Sequence, residues 1–423
     1  MKKLYTRATL LAVALLAMPF QQMGGANWNG KQVAWTHGTG QQEDPYLIEQ
    51  PEQLAYLSKM VSDGNTYENT YFKLTSDLDM GASEGHTFTM IGTFDKYFDS
   101  DAMQNVDGSK YFKGILDGDY HTIDNLKIEY VNEELGGTGL FACTTNGTVI
   151  RNLIIGANST VKGGITSGMF VGQMNGGLIE NCQNKGTLDA NMYTGGIVGV
   201  MEGGTVKCCV NNGNLKGATE LGGIVGQGAA NGNVEYCYNT GEITCIGFGG
   251  GGIGGALYDT FKIENCYSTG AVSGESSPWM GSPHAIISDA GTGTVSNCYF
   301  VQELASVDDD KATAKTAEEM KSADMLATLN GTGGNNYFVA DSKNINNGLP
   351  VLYWQAKTTT GIKMLEDNVQ FDLTIDGNTV SSNKNVSVYT LDGRQVATGF
   401  RMTLGKGTYI LKADGGVRKV SIR

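Results

Sequence analysis

Charge is scarce in this chain. Asp, Glu, Lys and Arg make up 17% of its 423 residues, and the formal balance is −13. No basic stripe is present, so nucleic acid is excluded as an expected partner. Proline is rare at 6 residues, and histidine at 4. Although glycine reaches 61 residues, the shortage of proline and the missing G-X-Y period argue against collagen and against plain disorder. None of His37, His86, His121 and His284 is followed by the Glu and second His of a zinc-peptidase helix. No apolar run beyond the first twenty residues is long enough to span a bilayer, so a membrane-spanning segment is not expected.

The start of the chain has the marks of an exported protein. Lys2, Lys3 and Arg7 precede the apolar run Ala8–Met18, and the small residues Gly24, Gly25 and Ala26 follow. Residues 1–26 read as a secretory signal peptide, because the apolar centre is too short to span a membrane and ends in a small-residue exit.

From about Ile165 to Cys298 two phrases recur. GGIVG stands at Gly195–Gly199 and Gly222–Gly226, GGIGG at Gly251–Gly255 and GMFVG at Gly168–Gly172. Interleaved with them, Cys182, Cys209, Cys237, Cys266 and Cys298 close phrases of the IENC type at intervals of 27, 28, 29 and 32 residues. A fixed period in this range means a stacked array. Leu126 and Leu153 occupy the position of the cysteines in earlier copies, so the repeat covers roughly 112–300, about six rungs.

Side-chain parity locates a corner in each rung. Ile179 and Cys182 are apolar positions three apart, whereas an unbroken strand alternates with period two. Both face inward only if the chain turns between them, at Asp124–Asn125, Arg151–Asn152, Glu180–Asn181, Glu264–Asn265 and Ser296–Asn297. Asn tolerates the left-handed conformation that such a corner needs. Cys208 and Tyr236 interrupt the Asn column and leave the geometry of their two corners open. Gly186, Gly213, Gly241 and Gly270 mark the next corner. These columns describe an all-β fold, a parallel β-helix. In it the column cysteines would stand one above another about 4.8 Å apart, whereas a disulfide wants Cβ atoms about 3.8 Å apart. Free buried thiols are therefore expected. Cys143, Cys208 and Cys245 lie outside the column and have no evident partners.

The GGIVG phrases with their IENC-x-N-x-G companions resemble the GLUG-motif repeats of exported bacterial proteins. Such repeats occur in surface proteins of Bacteroidota and in non-catalytic parts of IgA-cleaving zinc peptidases. The approach GTGQQEDPYLI, YFKLTSDLDM and FKGILDGDYHTI is similar to the N-terminal lead-in of those proteins. The resemblance implies a right-handed parallel β-helix displayed outside the cell, and it does not imply peptidase activity.

The flanks complete the organisation. In 27–111, read as an N-terminal cap and lead-in strands, Pro51 suits the first turn of a helix whose Leu54, Leu57 and Val61 share a face. In 301–357, read as a C-terminal cap, Thr316 and Glu319 form a capping box that opens one helix ending near Gly331, and this helix is expected over the open end of the solenoid. From about residue 358 the period vanishes. VSVYTLDGRQV, GTYILKA and VRKVSI read as strands of a small antiparallel β-sandwich, with a hairpin turn at Asp392–Gly393. The string resembles the C-terminal sorting domains read by the type IX secretion system, which implies that machinery as a partner of 358–423.

Candidate chemistry is thin. Gly81–Gly85 matches G-x-S-x-G, but no helix follows it, and a nucleophile elbow needs strand, turn and helix. Glu180, Lys207, Glu235 and Glu264 share an outward position and read as a solvated face, and Asp308–Asp310 as a solvated loop. Neither a catalytic residue nor a metal or cofactor site is expected. The strongest binding candidates are Tyr238, Tyr267 and Tyr299, which follow the column cysteines and so face outward, together with Trp279 in the enlarged loop of the last rung. As an exposed ladder they would stack on sugar rings; as a structural strip they would pack on one another or under the flanking segment. The chain thus reads as an exported, non-catalytic surface protein that binds an extracellular glycan or a host protein. A carbohydrate-active β-helix enzyme is the alternative.

Overall fold

The computed structural model describes residues 27–100, 102–130, 136–277, 281–331 and 336–356 of one compact unit. Of a second unit, from residue 357 onward, it describes 373–376, 378–390, 395–405, 407–413 and 416–422. The signal-peptide reading of 1–26, Trp279 and the turn at Asp392–Gly393 fall outside the described residues.

The first unit is a parallel β-solenoid of about eight turns. One rung shows the plan: Thr166–Gly168, Val171–Met174, Leu178–Glu180, Gln183–Asn184 and Thr187–Asp189 are five short strands separated by corners. Each pairs in parallel with its counterparts in the rungs before and after, which gives sheets of four, six, nine, nine and six strands. The nine-stranded sheet through Leu178–Glu180 begins at Tyr46–Ile48 and continues through Tyr71–Leu74, so stacking starts well before the point where the sequence period becomes legible. A helix over Pro51–Ser62, with Pro51 in its first turn and Leu54, Leu57 and Val61 buried, packs beside these first rungs. The hairpin Lys96–Asp99/Gln104–Asp107 is an antiparallel insertion within the lead-in.

The corners follow the sequence argument. Asn125, Asn152, Asn181, Asn265 and Asn297 have φ between 50 and 55°, in the left-handed region. Cys208 and Tyr236 take the same conformation, with φ of 51 and 54°, so the corner persists where Asn is missing. Inside the next corner Asn184, Asn211 and Asn239 form a fully buried ladder. Asn184 Nδ2 donates to Asn211 Oδ1 at 2.7 Å, and Asn211 Nδ2 to Asn239 Oδ1 at 2.7 Å. The same carbonyl oxygens accept the N–H of Gly186, Gly213 and Gly241. A Cβ on Gly213 would lie 1.8 Å from the Gly186 oxygen, so glycine is required there by close rung-to-rung approach.

All eight cysteines are free and buried. Each column thiol donates to the carbonyl two residues earlier, at 3.2–3.3 Å. Burial pushes the thiols of Cys182, Cys237 and Cys298 up. At Cys209 and Cys266 contact with the neighbouring sulfurs opposes burial. We take the whole column as protonated, since its surroundings are Ile, Val and Leu side chains.

The C-terminal segment is arranged differently from the expectation. The end of the solenoid is closed by 302–312: Asp309 is buried and accepts the N–H groups of Ile286 and Ile287 at 2.8 and 2.9 Å. The capping box at Thr316 and Glu319 is present, but it opens only Ala317–Met320, and Ser322 caps a second helix, Ala323–Asn330. These helices, the pair Phe338–Val339/Val351–Leu352 and the turn Tyr353–Ala356 lie along the flank of the nine-stranded sheet through Gln183–Asn184, where they share a second apolar core with it.

Among the described residues of the second unit, Leu373–Asp376, Thr379–Thr390, Gln395–Thr403, Gly407–Ala413 and Gly416–Ile422 form one five-stranded antiparallel sheet rather than two packed layers. Val380, Val386, Val388, Met402, Leu404 and Leu411 make its core.

Candidate functional site

Of the sequence-derived candidates, Tyr238, Tyr267 and Tyr299 stand together, but they are not open to solvent. Gln183, Val210, Tyr238, Tyr267 and Tyr299 stand in one register column on the outer face of their sheet. Tyr238 and Tyr267 stack with ring centroids 5.0 Å apart and planes 4° from parallel. Their relative exposures are 1% and 0%, and that of Tyr299 is 8%. The flank segment covers them. Phe338 packs at 5.6 Å from Tyr267, Tyr238 Oη donates to Gln355 Oε1 at 2.9 Å, and Tyr267 Oη hydrogen-bonds Pro350 O and Asn346. Burial raises both phenols above the usual tyrosine range, and the Asn346 amide that donates to Tyr267 opposes it there. The exposed sugar platform is therefore replaced by a packed strip, because the apolar faces of Met320, Met325, Leu329 and Trp354 need the same surface.

The charged column also falls in register, as Asp117, Arg151, Glu180, Lys207, Glu235 and Glu264. Its neighbours largely neutralise one another. Arg151 Nε lies 3.0 Å from Asp117 Oδ2 and Lys207 Nζ 3.6 Å from Glu235 Oε1, while Lys207 also sits 4.5 Å from the Tyr337 ring centroid. Burial raises the Glu180 carboxyl, with Arg151 and Lys207 opposing. Charges alternate from Asp117 to Glu235, which compensates most of this face; Glu235 and Glu264 are then like-charged register neighbours, and Ser296 Oγ donates to Glu264 Oε1 at 3.2 Å.

Two features were missed in the sequence. A cavity of about 340 Å³ opens beside Tyr299, lined by Thr313, Lys315, Glu319, Asp324, Met325 and Thr328. Its residues come from the last strand and from the flank helices, whose docking side the sequence does not specify. The second is a polar cluster over the six-stranded sheet through Val171–Met174, where Gln227 Nε2 donates to Glu220 Oε2 at 3.0 Å. Gln227, Ala256 and Asp289 are in register, so Asp289 lies two rungs beyond Gln227 on the same strand line. Among the described residues no group of three or more His, Cys, Asp or Glu is placed to hold a metal ion, and no helix is long and apolar enough to cross a membrane.

Comparison with known proteins adds three findings. The GLUG motif is matched at residues 217–244, within the solenoid. Halomucin of Haloquadratum walsbyi is 31% identical over 154 residues, 36% of this chain, and the matched stretch is 2% of halomucin's own length. A solved structure from Bacteroides ovatus, of a protein provisionally named an immunoglobulin A1 protease, is 20% identical. It superposes with a TM-score of 0.55 over 76% of this chain and 95% of that one. At this identity the likeness is one of fold.

Proposed function

We propose that this is an exported, cell-surface β-helix protein of the Bacteroidota type that acts without catalysis, as an adhesin-like scaffold binding an extracellular glycan or a host protein. The observation that carries the reading is the solenoid itself. Its repeated residues serve corners, an amide ladder and a thiol column, and most of its charged column is paired with opposite charge. Long, stiff, polar sheet faces remain available for contact. The GLUG motif and the partial match to halomucin support this reading. Residues 358–423 would serve as the sorting domain that hands the chain to the type IX machinery.

Deleting 358–423 in the producing cell tests the export half. The shortened protein is expected to accumulate in the periplasm, and its appearance at the surface would remove the sorting role. Glycan and protein arrays probed with the mature chain test the binding half. A second reading, a carbohydrate-active enzyme, draws on Glu220 and Asp289 alone, and release of reducing sugar by the purified protein would favour it.

A further inference from the structure

The outer face of the six-stranded sheet carries a group of side chains that neither the repeat nor the core explains. Tyr193 and Glu220 occupy equivalent turns 27 residues apart. Their backbones rest directly on two strand glycines: a Cβ on Gly226 would lie 2.5 Å from the Tyr193 carbonyl carbon, and one on Gly255 2.5 Å from that of Glu220. The two turns thus form a wall above the strand line Val200, Gln227, Ala256 and Asp289. Gln227 projects between them: its amide donates to Glu220, and it lies beside the Tyr193 side chain. Tyr258, 39% exposed, follows the strand Gly254–Leu257 and lies within electrostatic reach of Glu220, Asp289 and Tyr193.

The chemistry of this group is unusual for a solvated face. Burial raises the Glu220 carboxyl, the Gln227 amide opposes this, and the charge of Asp289 adds to it. Among the described residues no Lys, Arg or His forms an ion pair with Glu220 or Asp289, in contrast to the compensated column on the neighbouring sheet. Two half-exposed aromatic rings, one amide and two carboxyl groups without a cation match the needs of a sugar. Aromatic faces take the C–H side of a pyranose, and directional acceptors and donors take its hydroxyls.

We propose that Tyr193, Glu220, Gln227, Tyr258 and Asp289 form a groove that binds a neutral pyranose unit of an extracellular glycan. The proposal deepens the surface-binding reading and rests on it. The test uses the mature chain on an array carrying neutral plant polysaccharide fragments in one arm and glycoprotein glycans in the other, so the arm that responds identifies the source. Tyr258→Ala and Gln227→Leu are expected to weaken binding by about tenfold or more, the loss usual for a central aromatic or buried polar contact. Val33→Ala, at an exposed position beside the N-terminal helix, is expected to leave binding unchanged. Circular dichroism and thermal melting check that each variant is folded, and Tyr258→Ala, at an exposed position, keeps the test open if Gln227→Leu is not. Equal binding by wild type and Tyr258→Ala overturns the groove while leaving the binding protein intact. Binding of no neutral sugar by the wild type also overturns it, with protein ligands still available to the broader reading. Sugar release that is lost in Glu220→Gln would support the groove and overturn the non-catalytic reading.

Discussion

Each asparagine corner is a conformational requirement before it is a chemical one. At Asn265 the left-handed backbone excludes β-branched residues more strongly than glycine. Asn265→Val should therefore cost about 1–2 kcal/mol more than Asn265→Gly, as read from urea midpoints. Equal costs would show that the amide, not the backbone, sets the choice. The interior ladder makes the opposite demand. Asn211→Leu fits the volume but leaves the Asn184 amide and the Gly213 N–H without their acceptor, and about 2–4 kcal/mol should be lost. Asn and Gly columns are legible in a sequence because a corner or a close approach admits few residue types. Cys208 and Tyr236 were not legible as corners, since their left-handed backbone is imposed by the rungs on either side and by the flank contacts. Trp354 Nε1 donates to Cys208 O at 3.0 Å, and Tyr236 packs on Tyr337 with ring centroids 4.1 Å apart.

Among elements, the flank segment holds the least regular structure and the most specific contacts. Trp354 is buried, stacks on Tyr120 at 5.6 Å and anchors the far end of the segment. Trp354→Ala should cost about 3–5 kcal/mol locally. The expected readout is faster proteolysis between 317 and 356 with the β-sheet circular dichroism retained; simultaneous loss of both would mean that the segment and the solenoid form one cooperative unit. Asp341 adds a pH dependence. Burial alone would raise its carboxyl, but the N–H groups of Asn346, Ile345 and Gly348 hold it below the usual range. A depressed folded value stabilises above the unfolded value near 3.9 and is lost as pH falls through the folded one. Asp341→Asn should thus lower the urea midpoint at pH 7, with the gap closing below about pH 4. The helix signals of this segment were readable at Thr316 and Glu319. Its docking on the flank was not, because a short amphipathic helix carries no mark of which apolar surface it will meet.

For the molecule as a whole, stacking makes both ends the weak points, since a terminal rung exposes unpaired strand groups. Asp309 covers two of them, so Asp309→Ala should promote concentration-dependent association, visible by light scattering, while the isolated rungs stay paired. The fold class was readable from the period, yet the first rungs were hidden. Residues 46–111 lack both repeat phrases and carry the inserted hairpin, so only the alternating run Tyr71–Met80 hinted at strand structure. The groove was hidden for another reason: its members come from turns, strands and a strand end in different rungs, and at none of these repeat positions does one residue type recur, so no column marks them.

The course of the flank segment has a mechanical consequence. It leaves the last rung near Tyr299 and runs back across Tyr267, Tyr238 and Cys208 until Tyr353 and Trp354 meet Asn181 and Tyr120. Tension arriving through residue 356 would then load this layer contact by contact, as a zipper, before it reached the parallel rungs. Release of 317–356, 40 residues by that numbering, would pay out on the order of 140 Å of extended chain at about 3.5 Å per residue. A molecule held by its C-terminal side could in this way absorb a pull without losing a single turn of its solenoid.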